Sequence, residues 1–145
     1  MPFLRSTTVE TIMMKPEIVD ENTNFVEVTK ILLRTKRGCV FVTKSDRLVG
    51  IITDRDIQRL ILRDGGIISP DTTAKDFMIK PVVSVKKNTS IDEADQLMHN
   101  EKVNRLAVVD DNKAVIGLID YKSTHSQLIT QFAKSIVHRS EYNIK

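Results

Sequence analysis

The amino-acid sequence contains an internal repeat, and this feature limits the possible folds more than any other. The segments that begin near Met13 and near Met78 share residues in the same order, at offsets of 65 to 67 positions. The matching sets are Met13, Lys15 and Pro16 with Met78, Lys80 and Pro81, Asn22-Thr23 with Asn88-Thr89, and Gly50-Ile51-Ile52 with Gly117-Leu118-Ile119. Because one match could arise by chance but three in order are a strong signal, we infer two copies of one structural unit.

Each copy is predicted to form a β-α-β-β-α unit. A short apolar strand precedes a helix, which is capped by Asn24 in the first copy and by Ser90 in the second. Two strands joined by a polar turn follow, and in the first copy a closing helix over 56–63 stops at Gly65-Gly66. A short helical segment is expected ahead of each unit, opened by the capping pairs Thr7–Glu10 and Thr73–Asp76.

Neither copy is large enough to bury a wide core alone, because small domains bury little of the surface that their unfolded chains expose. Two copies packed sheet to sheet would cover both apolar faces and would create a pseudo-twofold axis with two equivalent clefts. We therefore predict an α/β (α+β) fold with one repeat over residues 1–70. The second repeat is predicted over residues 71–145, and it includes a C-terminal helical extension.

The composition narrows the class of protein. The chain has 145 residues, of which 41% are hydrophobic and 28% are charged, as expected for a folded domain rather than a disordered one. No apolar run approaches the roughly 20 residues needed to cross a bilayer, and the N-terminus lacks a secretory pattern. The single cysteine, Cys39, agrees with a reducing cytoplasm. The net charge of +3 suits an anionic ligand and is too small and too scattered to indicate nucleic acid alone.

The repeated pattern resembles the CBS domain, named after cystathionine β-synthase. The resemblance rests on the repeat itself, on GIITDRDI at 50–57 and on KVNRLAVVDDNKAVIGLI at 102–119, and it extends from about Val9 to about Phe132. It implies a regulatory, ligand-sensing module without catalytic residues, which commonly binds adenosine-containing ligands and often dimerises. His99, His125 and His138 lack metal-site spacing, so no metal is expected.

The stretch GIITDRDI is the main candidate site. Thr53 falls where a strand ends and a helix begins, so the free N–H groups and the hydroxyl can bind a phosphate. Asp56 has two carboxylate oxygens that can accept both hydroxyls of a ribose, and Arg55 can reach the phosphate. Local helix capping by Thr53 and Asp54, with Asp56 favouring the helix dipole, is the alternative interpretation.

The resemblance also implies which residues face Asp56 from the second copy. These residues are Val82, Val83 and Ser84 at the first strand, and Asn104, Arg105 and Leu106 at the next. Val83 and Leu106 are the candidates for enclosing an adenine, and Arg105 is a candidate phosphate ligand. A surface arginine without a ligand is the equally open alternative for Arg105.

The second copy departs from this pattern. Asp120 replaces the threonine, so a carboxylate would face the phosphate and repel it. Ser123 replaces the aspartate, which leaves one hydroxyl where a ribose needs two acceptors. We expect Asp120 to cap a helix and this second cleft to be a poor nucleotide site.

Two functions remain open from the sequence. The favoured one is a non-catalytic sensor that binds an adenine nucleotide such as AMP, ADP or ATP, forms a homodimer and modulates a protein partner. The alternative is a scaffold or nucleic-acid-associated module whose nucleotide cleft is vestigial.

Overall fold

A computed structural model describes residues 7–63 and 65–143 of the chain. The first repeat contains β1 (Ile18–Asp20), α1 (Phe25–Arg34), β2 (Cys39–Lys44), β3 (Arg47–Thr53) and α2 (Asp54–Arg63). A short helix, α3 (Ala74–Phe77), leads into the second repeat. That repeat contains β4 (Ser84–Lys86), α4 (Ile91–Glu101), β5 (Arg105–Val109), β6 (Val115–Asp120) and α5 (Tyr121–Asn143). The predicted β-α-β-β-α order is confirmed in both copies.

The strands form two three-stranded sheets with the same topology. In each sheet the first strand is parallel to the second, and the second is antiparallel to the third, in the orders β1-β2-β3 and β4-β5-β6. The strand registers repeat as well. Ile18 pairs with Phe41 in the first sheet, and the residues 66 positions later, Ser84 and Ala107, pair in the second sheet. The sequence repeat is therefore a repeat of hydrogen-bonded structure.

The helix boundaries follow from their capping residues. The Asn24 side chain accepts a hydrogen bond from the Val26 N–H, and the Ser90 hydroxyl accepts one from the Glu93 N–H. The predicted pair Thr73–Asp76 forms a capping box at the start of α3. The predicted pair Thr7–Glu10 is wrong: a 3₁₀ turn over Val9–Thr11 begins after Thr8, which makes no side-chain cap bond. Thr7 instead accepts a hydrogen bond from Gln131 in α5.

The strand alternation divides the apolar side chains among three cores. In β2, Val40 and Val42 face the helices of the first repeat, while Cys39 and Phe41 face the other sheet. In β5, Leu106 and Val108 likewise face the core of the second repeat, while Ala107 and Val109 face the other sheet. The core between the two sheets contains Cys39, Phe41, Ala107, Val109 and Leu118. Each large aliphatic side chain buried in this way contributes about 1.5–3 kcal/mol, so the contact between the sheets contributes substantially to the stability of the fold.

The segments that precede the two repeats are exchanged between the halves. Met14 pairs with Leu118 of β6, and Ile79 pairs with Ile51 of β3. Ala74 and Phe77 of α3 pack in the core of the first repeat, although they precede the second. Residues on each side of the predicted repeat boundary at 70/71 therefore pack with the other repeat. The boundary itself stays a prediction. Residues 1–6, 64 and 144–145 of the predicted repeats lie outside the described residues.

This exchange explains two of the glycines that define the repeat. A Cβ atom at Gly50 would collide with the side chain of Met78, and one at Gly117 would collide with the side chain of Met13. The two collisions are equivalent under the pseudo-twofold axis. Each copy therefore supplies the methionine that lies against the glycine of the other.

Candidate functional site

The end of β3 and the start of α2 are joined by a local hydrogen-bond network. The Thr53 N–H donates to Oδ2 of Asp56 at 2.8 Å, and the Thr53 hydroxyl donates to the same oxygen at 3.1 Å. The Asp56 side chain is buried, with 5% of the residue exposed. Since a buried carboxylate needs hydrogen-bond donors, Thr53 holds Asp56 in one orientation at the edge of the sheet.

The second oxygen of Asp56 is the more available one. Oδ1 lies 3.4 Å from Nη1 of Arg59, whose side chain is 62% exposed. An ion pair with such an exposed side chain contributes little to stability, so the Arg59 side chain can move away from the carboxylate. A carboxylate has about four acceptor positions, and Thr53 uses only the two on Oδ2. Asp56 therefore retains acceptor capacity for a ligand hydroxyl at Oδ1.

The geometry of Thr53 and Asp56 is not by itself evidence of a ligand. The same two bonds, of 2.8 and 3.2 Å, join Thr73 to Asp76 at the start of α3. The capping interpretation thus accounts for the Thr53–Asp56 contact. Any binding function of this edge has to rest on groups contributed by another part of the chain.

Arg105 of the second repeat supplies such a group. Its Nη2 atom lies beside Gly38, at 2.7 Å from the position that a Cβ would occupy there. Gly38 precedes Cys39, and Cys39 is the cross-strand partner of Thr53. Arg105 thus reaches from its own sheet to the edge of the first repeat that carries Thr53.

The Nε atom of Arg105 has no hydrogen-bond acceptor among the described residues. This atom is also buried. A buried donor without an acceptor is costly, by about 1–3 kcal/mol.

The pKa of the Cys39 thiol depends on its burial and on the nearby charges of Arg105 and Asp120. Burial raises the pKa of its thiol to about 11, while the nearby Arg105 cation lowers the pKa and Asp120 raises it. The thiol is therefore neutral at physiological pH. Cys39 occupies the strand position that corresponds to Arg105 in the second repeat, at an offset of 66, so the cation is present on one side only.

The remaining predicted residues differ in burial, because some lie in a core and others are exposed to solvent. Leu106 is fully buried in the core of the second repeat, and Val83 packs against the same core. Because neighbouring strand residues point to opposite faces, Val82 and Ala107 face the other sheet instead. Ser84 and Asn104 are exposed, and so is Arg55.

Four of the predicted binding residues line cavities, and they are divided among three cavities rather than gathered in one. Asp56 lines a cavity of about 250 Å³ with Arg59, Phe77 and Met78. Ser84 lines one of about 280 Å³ between the repeats, formed also by Leu48, Val49, Pro81 and Val82. Asn104 and Arg105 line a third, of about 320 Å³, with Asp120, Tyr121 and Lys122. The segment from Phe77 to Val82 passes from the first cavity to the second.

The end of β6 and the start of α5, which carry Asp120 and Ser123, form the equivalent edge of the second repeat and have a different hydrogen-bond arrangement. Oδ1 of Asp120 accepts a hydrogen bond from the Ser123 N–H at 2.8 Å, so the predicted helix cap is confirmed. The Tyr121 ring stacks on His125, with centroids 5.2 Å apart. A carboxylate therefore occupies the position that corresponds to the Thr53 hydroxyl in the first repeat.

The sequence interpretation missed Arg59 and Gly38, and it named Val82 among the residues that face Asp56 without giving it a role towards the adenine. Arg59 follows Asp56 by three residues on a helix, a spacing that brings two side chains together, so this contact could have been predicted. The approach of Arg105 to Gly38 joins residues 67 positions apart, and it carries no local signal.

The described residues contain no group of three or more His, Cys, Asp or Glu side chains that could hold a metal ion. Among the helices of the same residues, none combines the length and the apolar character needed to cross a membrane.

The duplicated β-α-β-β-α unit, packed sheet to sheet with exchanged leading segments, defines a tandem-repeat module with two related edges. The CBS domain family model matches residues 9–63 and 74–123. The chain therefore belongs to the CBS domain family, and it contains two CBS domains.

Curated relatives place the same module in longer chains. The chain is 32% identical over 102 residues to the probable arabinose 5-phosphate isomerase of Haemophilus influenzae, covering 70% of this chain and 30% of that protein. It is 35% identical over 111 residues to the inosine-5'-monophosphate dehydrogenase of Methanocaldococcus jannaschii, covering 76% of this chain and 20% of that enzyme. The chain thus spans less than a third of the length of either relative.

Solved structures show the same fold. The CBS domain pair of protein MJ0100, in complex with 5'-methylthioadenosine and S-adenosyl-L-methionine, superposes with a TM-score of 0.72 at 25% identity. The match covers 86% of this chain and 97% of that one. The mixed α and β architecture of a CBS pair is thereby shown.

Proposed function

We propose that this chain is a non-catalytic regulatory module that binds one adenine nucleotide between its repeats and modulates a protein partner. The ligand class is AMP, ADP, ATP or a similar adenosyl compound. The complex of the MJ0100 domain pair with two adenosyl ligands supports this class. The residues proposed to bind are Thr53, Arg55, Asp56, Ser84, Asn104 and Arg105.

The observation that carries the proposal is the position of Arg105. It brings an incompletely bonded guanidinium from the second repeat to the edge where Thr53 and Asp56 lie. A guanidinium can bind a phosphate with paired hydrogen bonds, and Oδ1 of Asp56 supplies an acceptor for a ribose hydroxyl. One ligand would therefore contact both repeats.

We place the adenine on Val82 rather than between Val83 and Leu106. Leu106 is fully enclosed in its own core, so its side chain cannot contact a base. Val82 is half-buried and lines the cavity between the repeats together with Leu48 and Pro81. A nucleotide lying along the segment from Phe77 to Val82 would extend from that apolar cavity towards Asp56.

Regulation would follow from contact with both repeats. A ligand shifts a conformational equilibrium only by its difference in affinity for the two states. A nucleotide held by Asp56 and Arg105 at once favours the arrangement in which both are within reach. A partner that binds the same arrangement would be coupled to the nucleotide with equal and reciprocal effect.

The first test is a thermal-shift screen with AMP, ADP, ATP, S-adenosylmethionine and GMP. A ligand at 100 times its Kd stabilises the fold by about 2.7 kcal/mol, which corresponds to a shift in Tm of roughly 10 °C for a chain of this size. We expect such a shift with at least one adenosyl ligand and a smaller one with GMP. No shift with any of the five, together with salt-sensitive binding of RNA or DNA, would favour the scaffold or nucleic-acid-associated alternative.

We also propose a homodimer built from α2 and α5, on which several apolar side chains are exposed although Leu60 of α2 is buried in the first core. Ile61 and Leu62 are 41% and 81% exposed on α2, and Phe132 and Ile136 are about half exposed on α5. Light scattering should give a mass of about twice 16.5 kDa. Phe132→Glu should reduce that mass towards one chain, whereas Lys134→Glu, a charge change on an exposed neighbour, should not. A single-chain mass for the parent at high micromolar concentration would contradict the dimer.

A cytoplasmic location is proposed because Cys39 is a free, buried thiol, as is usual in a reducing compartment. Cell fractionation that recovers the chain outside the cytoplasm would contradict it.

A further inference from the structure

Arg59 uses part of the acceptor capacity of the Asp56 carboxylate. Its Nη1 atom donates to Oδ1 of Asp56 at 3.4 Å, from a position three residues further along the same helix. Asp56 is only 5% exposed, whereas the Arg59 side chain is 62% exposed, and both residues line the cavity of about 250 Å³. The cation therefore lies on the solvent side of the carboxylate, within reach of a ligand in this cavity.

The number of acceptor positions limits what else Asp56 can bind. A carboxylate has about four such positions. The N–H and the hydroxyl of Thr53 both donate to Oδ2, and the guanidinium of Arg59 takes one position on Oδ1. About one position is left for a ligand, whereas the two neighbouring hydroxyls of a ribose require two.

Arg59 is not needed for the helix cap itself. Thr73 and Asp76 form the same two capping hydrogen bonds at the start of α3, and the residue three positions after Asp76 is Ile79. At the equivalent edge of the second repeat, which lacks the aspartate, Ser126 occupies the position of Arg59 at an offset of 67. Among these three helix starts, the arginine therefore accompanies only the carboxylate that is proposed to bind a ribose.

We propose that Arg59 competes with the ribose diol for Oδ1 of Asp56, and that it thereby limits the preference of the site for a ribonucleotide over a 2′-deoxyribonucleotide. This inference rests on the proposed nucleotide site at Asp56. A ligand with both hydroxyls binds fully only when Arg59 leaves Oδ1, because the second hydroxyl needs the position that the guanidinium holds. A 2′-deoxyribonucleotide has only the 3′-hydroxyl, and the remaining position accepts it without this displacement.

The competition is limited in size. The Arg59 side chain is exposed and can turn to solvent, and an ion pair of this kind is a small term that corresponds to no more than about a fivefold change in affinity. Arg59 therefore lowers the affinity for a ribonucleotide without preventing its binding.

Calorimetric titration of AMP and of 2′-deoxy-AMP into the parent and into Arg59→Met tests the proposal. The ratio of the two dissociation constants isolates the 2′-hydroxyl, because a contact with the phosphate affects both ligands alike. We expect the preference for AMP to rise about three- to fivefold in Arg59→Met. This rise should come from tighter AMP binding, with the affinity for 2′-deoxy-AMP nearly unchanged.

The matched control is Lys30→Met. Lys30 forms an ion pair with Glu27 at the same three-residue spacing on α1, and both side chains are exposed. Because this pair lies outside the residues proposed to bind the nucleotide, the preference for AMP in Lys30→Met should equal that of the parent.

Four results would overturn the proposal. An unchanged ratio in Arg59→Met would indicate a structural role, since neutralising a buried carboxylate affects both ligands together. A lower ratio would show that Arg59 supports the diol, and an equal rise in Lys30→Met would show that the effect is not local. Absence of AMP binding to both the parent and Arg59→Met is the fourth.

The inference and the proposed function can fail separately. Normal AMP binding with an unchanged ratio leaves the proposed function in place and removes the role of Arg59. The thermal-shift screen with five ligands decides whether the chain binds an adenosyl ligand at all.

Discussion

Replacing Gly50 by valine should destabilise the fold by about 3 kcal/mol or more, because overpacking a filled site typically costs 1–3 kcal/mol and occasionally more. A Cβ at this position would overlap Sδ, Cγ and Cβ of Met78, so rotation of the methionine tip cannot relieve the collision. Gly50 does not have a left-handed backbone, so the cost reports the collision rather than backbone strain. Urea unfolding followed by circular dichroism measures it.

A double-mutant cycle identifies the partner. Met78→Ala should recover about 2 kcal/mol in the Gly50→Val background, since it removes the atoms that collide. The mismatched control, Met13→Ala with Gly50→Val, should recover nothing, because Met13 lies against Gly117. Equal recovery with both methionines would contradict the exchanged arrangement of the leading segments.

Replacing Arg105 by methionine should separate stability from binding. In the free protein the change should alter the free energy of unfolding by less than about 1 kcal/mol, since it removes a buried Nε that has no acceptor among the described residues. Nucleotide affinity should fall by roughly 100-fold, because two charged hydrogen bonds of about 1.5 kcal/mol each are lost.

Calorimetry with the strongest ligand from the thermal-shift screen measures this loss. Lys87→Met, which removes an exposed cation elsewhere, is the matched control and should bind normally. A parent-like affinity in Arg105→Met would show that Arg105 has no role in nucleotide binding.

The repeat, the strand order and several helix starts could be predicted because their signals are local. Asn24, Ser90 and Thr73 each cap a helix through bonds within three residues, and such pairs are visible in the sequence. The capping by Asp120 was predicted for the same reason.

The rest of the site depends on contacts between the repeats. The run from Val82 to Val85 is apolar at three of its four positions, so its pattern does not show which side chains face the other sheet. The register with β5 decides this, and it places Val83 and Leu106 in the second core. The approach of Arg105 to Gly38 likewise depends on how the two sheets pack.

The difference between the Asp56 edge and the Asp120 edge is the central claim, and calorimetric titration of one adenine nucleotide into the parent and three variants tests it most directly. We expect one site per chain in the parent, at least about a tenfold loss of affinity in Asp56→Ala, and little change in Ser123→Ala. Asp56→Asn should be included, because its amide oxygen can still accept from Thr53 and so separates a folding defect from a lost ligand contact. Two sites per chain, or equal losses in Asp56→Ala and Ser123→Ala, would contradict the account.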